Sequence, residues 1–246
     1  MKNKMIKKME VPMSLCDNTS HLSTPGIFSL FMDIASEHGD KIELGMDKLA
    51  EKGAKWIITK TKVRIFERPR LLQEVDAITW PEKPGRVRCN RYYMIADGEK
   101  HLVEGKTEWV MLEKENDKLF RIADAYPHQL IHCEDTLLEE PYAKITDDFA
   151  GAKEIAKYVV NSTDIDMNQH MNNAAYVKVL FSAFSSVQTA DMDIKEIEVA
   201  FKAQCYEGEE LTICIKDTDC GYEAGIIKAD GTTAAAFVLT CSKIEI

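Results

Sequence analysis

The sequence predicts an α+β chain that uses one plan twice, a long amphipathic helix followed by a run of antiparallel strands. Three observations lead there: two apolar stripes of helical period that begin near Thr24 and near Asn173, four strand-like segments after each stripe, and a few residues that recur at matching places in the two halves. A length of 246 residues suits one large domain or two of about 120 residues each.

Thr24-Pro25 is a helix start, a capping hydroxyl followed by proline at the first helical position, and Ile27, Leu30, Phe31 and Ile34 then recur at spacings of three and four. The expected helix runs from about 25 to 52. Period-two character over 56–66, 74–80, 86–96 and 101–112, with Arg-Pro, Lys-Pro-Gly and Asp-Gly between, gives four strands. The second half repeats the order. An extended stretch at 155–160 leads through a polar loop to a helix at about 173–188, striped by Tyr176, Val177, Leu180, Phe184 and Val187. Strands are expected at 196–205, 210–216, 222–228 and 233–241. Asp17 and His21 stand ahead of the first helix as Asp166 and His170 stand ahead of the second, and Val63 to Val75 matches Val199 to Leu211 in length. The expected division is a first module over 1–120, an acidic linker over 121–154 with a short helix near 127–133, and a second module over 155–246.

Composition removes several classes. With 45% hydrophobic and 29% charged residues the chain buries a real core, and no apolar run approaches the roughly 20 residues of a membrane helix. Met1 to Glu10 is basic without the apolar stretch of a signal peptide, so a cytoplasmic location is expected. Seven cysteines form no CxxC pair and read as reduced thiols. A net charge of −10 opposes nonspecific nucleic-acid binding. That charge is uneven, since residues 1–120 carry 21 basic against 19 acidic side chains and residues 121–246 carry 10 against 22. Six of the seven arginines fall between Arg64 and Arg91, so an acidic partner would have to dock there.

Residues 161–176 carry the chemistry: Asn-Ser-Thr-Asp-Ile-Asp-Met-Asn-Gln-His-Met-Asn-Asn-Ala-Ala-Tyr. Read as an extended loop, this places Asp166, Asn168, His170 and Asn172 on one side. A helix N-terminus follows, with free N–H groups able to stabilise an oxyanion. Any one of these residues alone reads more simply as a turn or cap, but a cap needs one polar side chain and this loop supplies four. A base beside an oxyanion site is what acyl hydrolysis requires.

Asp-Ile-Asp-Met-Asn-Gln-His-Met-Asn-Asn resembles the signature of acyl-acyl-carrier-protein thioesterases, the plant and bacterial enzymes that end fatty-acid synthesis. The segment from Trp56 to Arg70, Thr79-Trp80-Pro81, Gly85-Arg86 and Glu108-Trp109-Val110-Met111 are similar to the same family, so the resemblance runs from about Met9 to Ser242. It implies two tandem hotdog modules, each a sheet wrapped around one long helix, and hydrolysis of the fatty acyl thioester without metal or organic cofactor. The implied partner is an acyl carrier protein bearing an acyl-phosphopantetheine, and a homodimer is left open. The shorter string Asp-x-x-x-His-x-Asn-Asn also occurs in acyl-CoA thioesterases related to 4-hydroxybenzoyl-CoA thioesterase, so an acyl-CoA substrate stays open, as does a catalytically weak acyl-binding protein.

By the same resemblance, Asp166 orients or activates the attacking water, and Asn168 and His170 polarise the carbonyl or position that water. The family's glutamate on a later strand falls here at Gln204. Glutamine cannot act as a base, so Gln204 is expected to position water. Cys205 beside it could pair with His170 as a nucleophile, or be a small buried residue sharing a face with Ile197, Val199 and Phe201. The first-half counterpart, Asp17 to Ser23, has Thr19 where Asn168 sits and reads as a degenerate copy; Phe28, Phe31, Met32 and Ile34 would lie in the acyl tunnel or core. Arg64 and Arg68, with Arg86 and Arg88, would dock the acidic carrier, or simply be solvated strand charges. His128-x-x-x-His132 with Cys133 has metal-pair spacing but no third ligand, so no metal is expected. No GxSxG, P-loop or GxGxxG occurs, which argues against serine hydrolases, nucleotide hydrolases and dinucleotide enzymes.

Overall fold

The computed structural model describes residues 4–127 and 130–244. Its strands are β1 (Met5–Glu10), β2 (Ala54–Ile65), β3 (Glu74–Pro81), β4 (Arg88–Asp97), β5 (Lys100–Glu113), β6 (Lys153–Val159), β7 (Glu196–Phe201), β8 (Glu210–Thr218), β9 (Gly221–Lys228) and β10 (Thr233–Thr240). Its helices are α1 (Thr24–Lys41), α2 (Met46–Glu51), α3 (Asn173–Ser182) and α4 (Ser186–Asp191). All ten strands form one antiparallel sheet in the order β1-β3-β4-β5-β2-β7-β10-β9-β8-β6. The second half of that order mirrors the first, so the plan seen in the sequence is repeated in space.

Several expectations shift. Within Met1 to Glu10, read from the sequence only as basic, the structure shows an edge strand: β1 pairs with β3 from Met5↔Thr79 to Glu10↔Glu74, and Lys7 pairs with Glu37 on α1. The helix expected over 25–52 is broken: α1 ends at Lys41, Glu43 takes φ +59°, and α2 restarts after Gly45. The helix over 173–188 breaks likewise, because Ser185 Oγ accepts from Gln188 N and caps a new helix, α4. β7 stops at Phe201, short of the expected 205. Among the described residues of 127–133 no helix occurs; a 3-10 turn at Ile122–Asp124 precedes them, and His128 and Gln129 lie outside the described residues.

α1 starts one residue earlier than Thr24 as its cap would imply, since the capping hydroxyl is that of Ser23 and Thr24 is the first helical residue. Ser23 Oγ accepts from Gly26 N at 3.0 Å with Pro25 in the first turn, and Ile27, Phe28, Leu30, Phe31, Ile34 and Ala35 turn one face inward. α1 and α3 pack on each other inside the sheet, and the main core joins them to Val63, Tyr93, Ile95, Val199, Ile213 and Phe237. Phe28, Phe31 and Ile34 are core residues, and Met32 is partly buried. Phe31 stacks on Tyr93 with ring centroids 4.4 Å apart and lies across Gly105, where a Cβ would stand 2.3 Å from Phe31 Cε2. Gly105→Ala is therefore expected to cost about 1–3 kcal/mol by overpacking. Urea unfolding would show it, and Phe31→Leu in the same chain should recover part of the loss.

The halves join where β2 pairs with β7, from Lys60↔Ala200 to Arg64↔Glu196. Along this seam Lys62, only 4% exposed, meets Glu198 at 3.0 Å and Glu196 at 3.1 Å. Arg64 binds Glu196 and Glu140. The connection between the halves crosses the outer face here. Lys106 donates to the carbonyls of Leu138 and Glu140, Tyr142 OH donates to Asn90 Oδ1, and Ala143 N donates to Glu198 Oε2. Further on, Phe149 fills the space above Gly225. The connection is thus held by this charge network together with small apolar clusters, in which Ile122 and Tyr126 pack with Met111, Leu137 with Trp80, and Phe149 with Ala236.

Candidate active site

The loop between β6 and α3 is a tight turn rather than the extended segment its alternation suggested. Gln169 N donates to Asp166 O at 3.0 Å with Gln169 at φ +65°, Asp166 N donates to His170 O, and Ile165 bridges to Met171. This turn brings Asp166, Asn168 and His170 together. Asp166 Oδ1 accepts from Asn168 N at 2.7 Å, Asn168 Nδ2 lies 3.5 Å from Asp166 Oδ2, and His170 Nδ1 lies 4.0 Å from Asp166 Oδ1 and 3.4 Å from Met171 O. The Asp166 and His170 side chains remain 18% and 20% exposed, open enough for substrate yet shielded enough for a strong field.

Asn172 does not join them. Its Oδ1 accepts from Ala174 N at 2.8 Å, so it caps α3. The cap fixes where the loop ends. Met171 N in turn donates to Cys205 O at 2.8 Å, which ties the loop to the chain leaving β7.

That tie places Gln204 beside the loop, but its amide is turned to Tyr206, whose hydroxyl donates to Gln204 Oε1 at 2.9 Å. Lys228 Nζ donates to the Gln204 carbonyl at 3.1 Å and pairs with Glu209 at 3.0 Å. Cys205 has 0% exposure, and burial, the largest influence on it, pushes its thiol up. A buried, protonated thiol is a packing group, not a nucleophile. Composition and spacing passed over two tyrosines here. Tyr206 was legible only as a neighbour two places from Gln204, and Tyr176 read as one member of an apolar stripe. Tyr176 OH donates to Ala203 O at 3.1 Å and accepts from Cys205 N at 3.0 Å, clamping the segment that carries Gln204. Tyr176→Phe leaves both backbone groups unpaired, so a loss of about 1–2 kcal/mol is expected in thermal or urea unfolding.

The first-half loop has the same build. Asp17 N donates to His21 O, Ser20 N donates to Asp17 O with Ser20 at φ +60°, Cys16 bridges to Leu22, and Leu22 N donates to Pro69 O. Pro69 therefore stands where Cys205 stands, and Arg68 where Gln204 stands. Arg68 turns onto Asp17 as an ion pair and reaches Thr19 Oγ1 at 3.2 Å. Burial works against ionisation of Asp17, but hydrogen bonds from Thr19 and Arg68 and the guanidinium charge outweigh it and hold the carboxyl below its usual range.

The arginines expected to form a docking stripe are mostly engaged within the chain: Arg64 with Glu196 and Glu140, Arg68 with Asp17, and Arg88 with Glu108 at 3.1 Å. Arg86 meets no carboxylate among the described residues. No group of three or more metal-ligating side chains occurs among the described residues, and no described helix is long and apolar enough to cross a membrane.

The chain matches the family models of the acyl-ACP thioesterase N-terminal domain over residues 2–130 and C-terminal domain over residues 149–237. Curated relatives include a chloroplastic oleoyl-acyl carrier protein thioesterase of Coriandrum sativum, 20% identical over 87% of this chain and 62% of that protein. A second such enzyme, from Arabidopsis thaliana, is 22% identical over 74% of this chain and 54% of that protein. The chain thus spans between about half and three fifths of these relatives' length. In fold it is similar to an acyl-ACP thioesterase from Bacteroides thetaiotaomicron, with a TM-score of 0.86 and 17% identity over 98% of both chains. The likeness extends to the 12:0-ACP thioesterase from Umbellularia californica, with a TM-score of 0.80 and 14% identity over 98% of both chains. With both family models matched in order along most of its length and the loop of Asp166, Asn168 and His170 in the second, the chain belongs to the acyl-ACP thioesterase family.

Proposed function

We propose that this protein is a thioester hydrolase that releases fatty acids from acyl carrier protein, built as two hotdog modules with the reaction run by the second. The observation that carries the reading is the convergence of a carboxylate, an amide and an imidazole at one turn, with Asp166 held by Asn168 N at 2.7 Å and His170 at 4.0 Å. Asp166 takes a proton from water as the water oxygen adds to the thioester carbonyl. Asn168 and His170 donate to the oxygen that becomes an oxyanion. Collapse of the tetrahedral adduct breaks the carbon–sulfur bond, the thiolate leaves with the proton from Asp166, and a carboxylic acid remains. Gln204, with Oε1 taken by Tyr206, has its N–H groups to offer and acts as a donor rather than a base.

Support for the carrier comes from the family and from similarity along nearly the whole chain. Thiol release from acyl-carrier-protein and acyl-CoA thioesters of graded length tests it. Higher kcat/KM for the carrier series, lost in Asp166→Asn, is the expected result; turnover of the CoA series alone would move the assignment to an acyl-CoA thioesterase, and turnover of neither to an acyl-binding protein. With three of the four arginines already paired, Arg86 is the remaining docking candidate. Arg86→Glu is expected to raise KM for carrier thioesters and not for CoA thioesters.

A further inference from the structure

Beneath the first-half loop lies a cavity of about 540 Å³, within the range of small-molecule sites. Both halves build it. Asp17, His21 and Arg68 come from the first loop and the chain leaving β2, while Phe181 comes from α3 and Met192 and Ile194 from the segment after α4. Asn18 Nδ2 donates to Ser186 O at 3.4 Å, closing the loop onto the second half. Asp17 and His21, which line this cavity, are the first-loop counterparts of Asp166 and His170.

Its chemistry is amphiphilic and electrically balanced. Phe181, Met192, Ile194 and Ile65 give an apolar wall, whereas Asp17, Glu67 and Asp193 face Arg68 and Lys195 at the rim. Arg68 pairs with Asp17, Lys195 with Asp193 and Glu67 with Lys100 from outside the cavity, so neither lining cation is left unpaired to seize a carboxylate or phosphate. What fits is a neutral chain with amide and carbonyl groups near one end.

We propose that this cavity is a second site for the acyl-pantetheine portion of a thioester, one that binds without hydrolysing. The proposal rests on the thioesterase reading above. Hydrolysis fails there for two visible reasons: the Asp17 carboxylate is committed to Arg68 and Thr19, and Thr19 offers no amide where the second loop has Asn168.

The probe is S-octyl pantetheine, a thioether that cannot be hydrolysed, titrated calorimetrically into the whole chain. Two molecules per chain are expected for the native protein and one for Ala190→Trp, which fills the cavity from an exposed position on α4 away from Asp166; thioester turnover should be the same in both. One molecule bound by the native protein overturns the proposal. Two bound by Ala190→Trp also overturn it, because the second molecule then sits elsewhere. Asp166→Asn should still bind two while losing turnover, and residual turnover that Ala190→Trp abolishes would show the first loop to be hydrolytic, against the proposal. If the native chain binds two but hydrolyses no thioester, the catalytic reading fails and this site stands; if it hydrolyses thioesters but binds one, the reverse holds.

Discussion

Asp166→Asn is expected to lower kcat for thioester hydrolysis about a thousandfold, within the range set by removal of a positioned general base. The substitution isolates the chemistry because asparagine keeps an oxygen able to accept from Asn168 N and differs from aspartate only in losing the charge and the proton affinity. KM should therefore change little, and the melting temperature should stay near that of the native chain. His170→Ala should cost less, since it removes one of two donors to the developing oxyanion and leaves the base, 4.0 Å away, in place. Stopped thiol-release assays at saturating substrate measure both. Retention of native kcat in Asp166→Asn would remove the carboxylate from the reaction and leave the turn as a binding element.

The second large effect is on stability and is set by pH. His38 on α1 is 3% exposed, its Nδ1 lies 3.0 Å from Arg91 Nη1, and the same Nη1 reaches Thr79 Oγ1 at 3.2 Å. Burial first, then the charges of Arg91 on β4 and Lys41 on the same helix, bring its pKa down from 6.5 to about 3. A histidine depressed in the fold is neutral there while the unfolded chain takes up a proton, so its contribution is full above pH 6.5 and drains away as pH falls toward 3. Between about pH 7.5 and 5 the loss amounts to about 2 kcal/mol. His38→Gln, which keeps an acceptor for Arg91, should flatten the dependence of urea unfolding over that interval. An equal slope in both proteins would mean that His38 takes up its proton in the fold as readily as in the unfolded chain. Below this interval other groups take over, because Glu37, paired with Lys41 and Lys7, is held down to about 2, and so is Glu140.

What the sequence made legible follows from how local the cause is. Thr24-Pro25 announces a helix start to within one residue, because a cap is settled by neighbouring atoms, here the Ser23 hydroxyl, whereas Asn172, read with the functional side of its loop, caps α3 instead. The break at 42–45 stayed hidden since Ile42 and Leu44 continue the apolar pattern and are themselves buried, in a separate small cluster with Leu49. β1 stayed hidden because its lysines dominate its composition, while Met5 and Met9 alone turn inward. At the site, Asp166 and His170 could be read from one string because a single turn unites them. The pairing of Arg68 with Asp17 could not, since it depends on the chain leaving β2 returning beside a loop 51 residues earlier. The same holds for Tyr176, whose partners are 27 and 29 residues away.

The buried meeting of Lys62 with Glu198 has a consequence for how such a chain can arise. The two residues correspond to each other between the halves and also face each other across the seam, so they sit on the approximate twofold axis. Two identical subunits joined at that axis would set lysine against lysine, or glutamate against glutamate, because a true dyad maps each residue onto its own copy. Opposite charges there require two halves of different sequence, which a single polypeptide carrying both supplies. Once they are in place neither half can be exchanged for a second copy of the other, and each is free to follow its own selection, as the arginine in one loop and the glutamine in the other record.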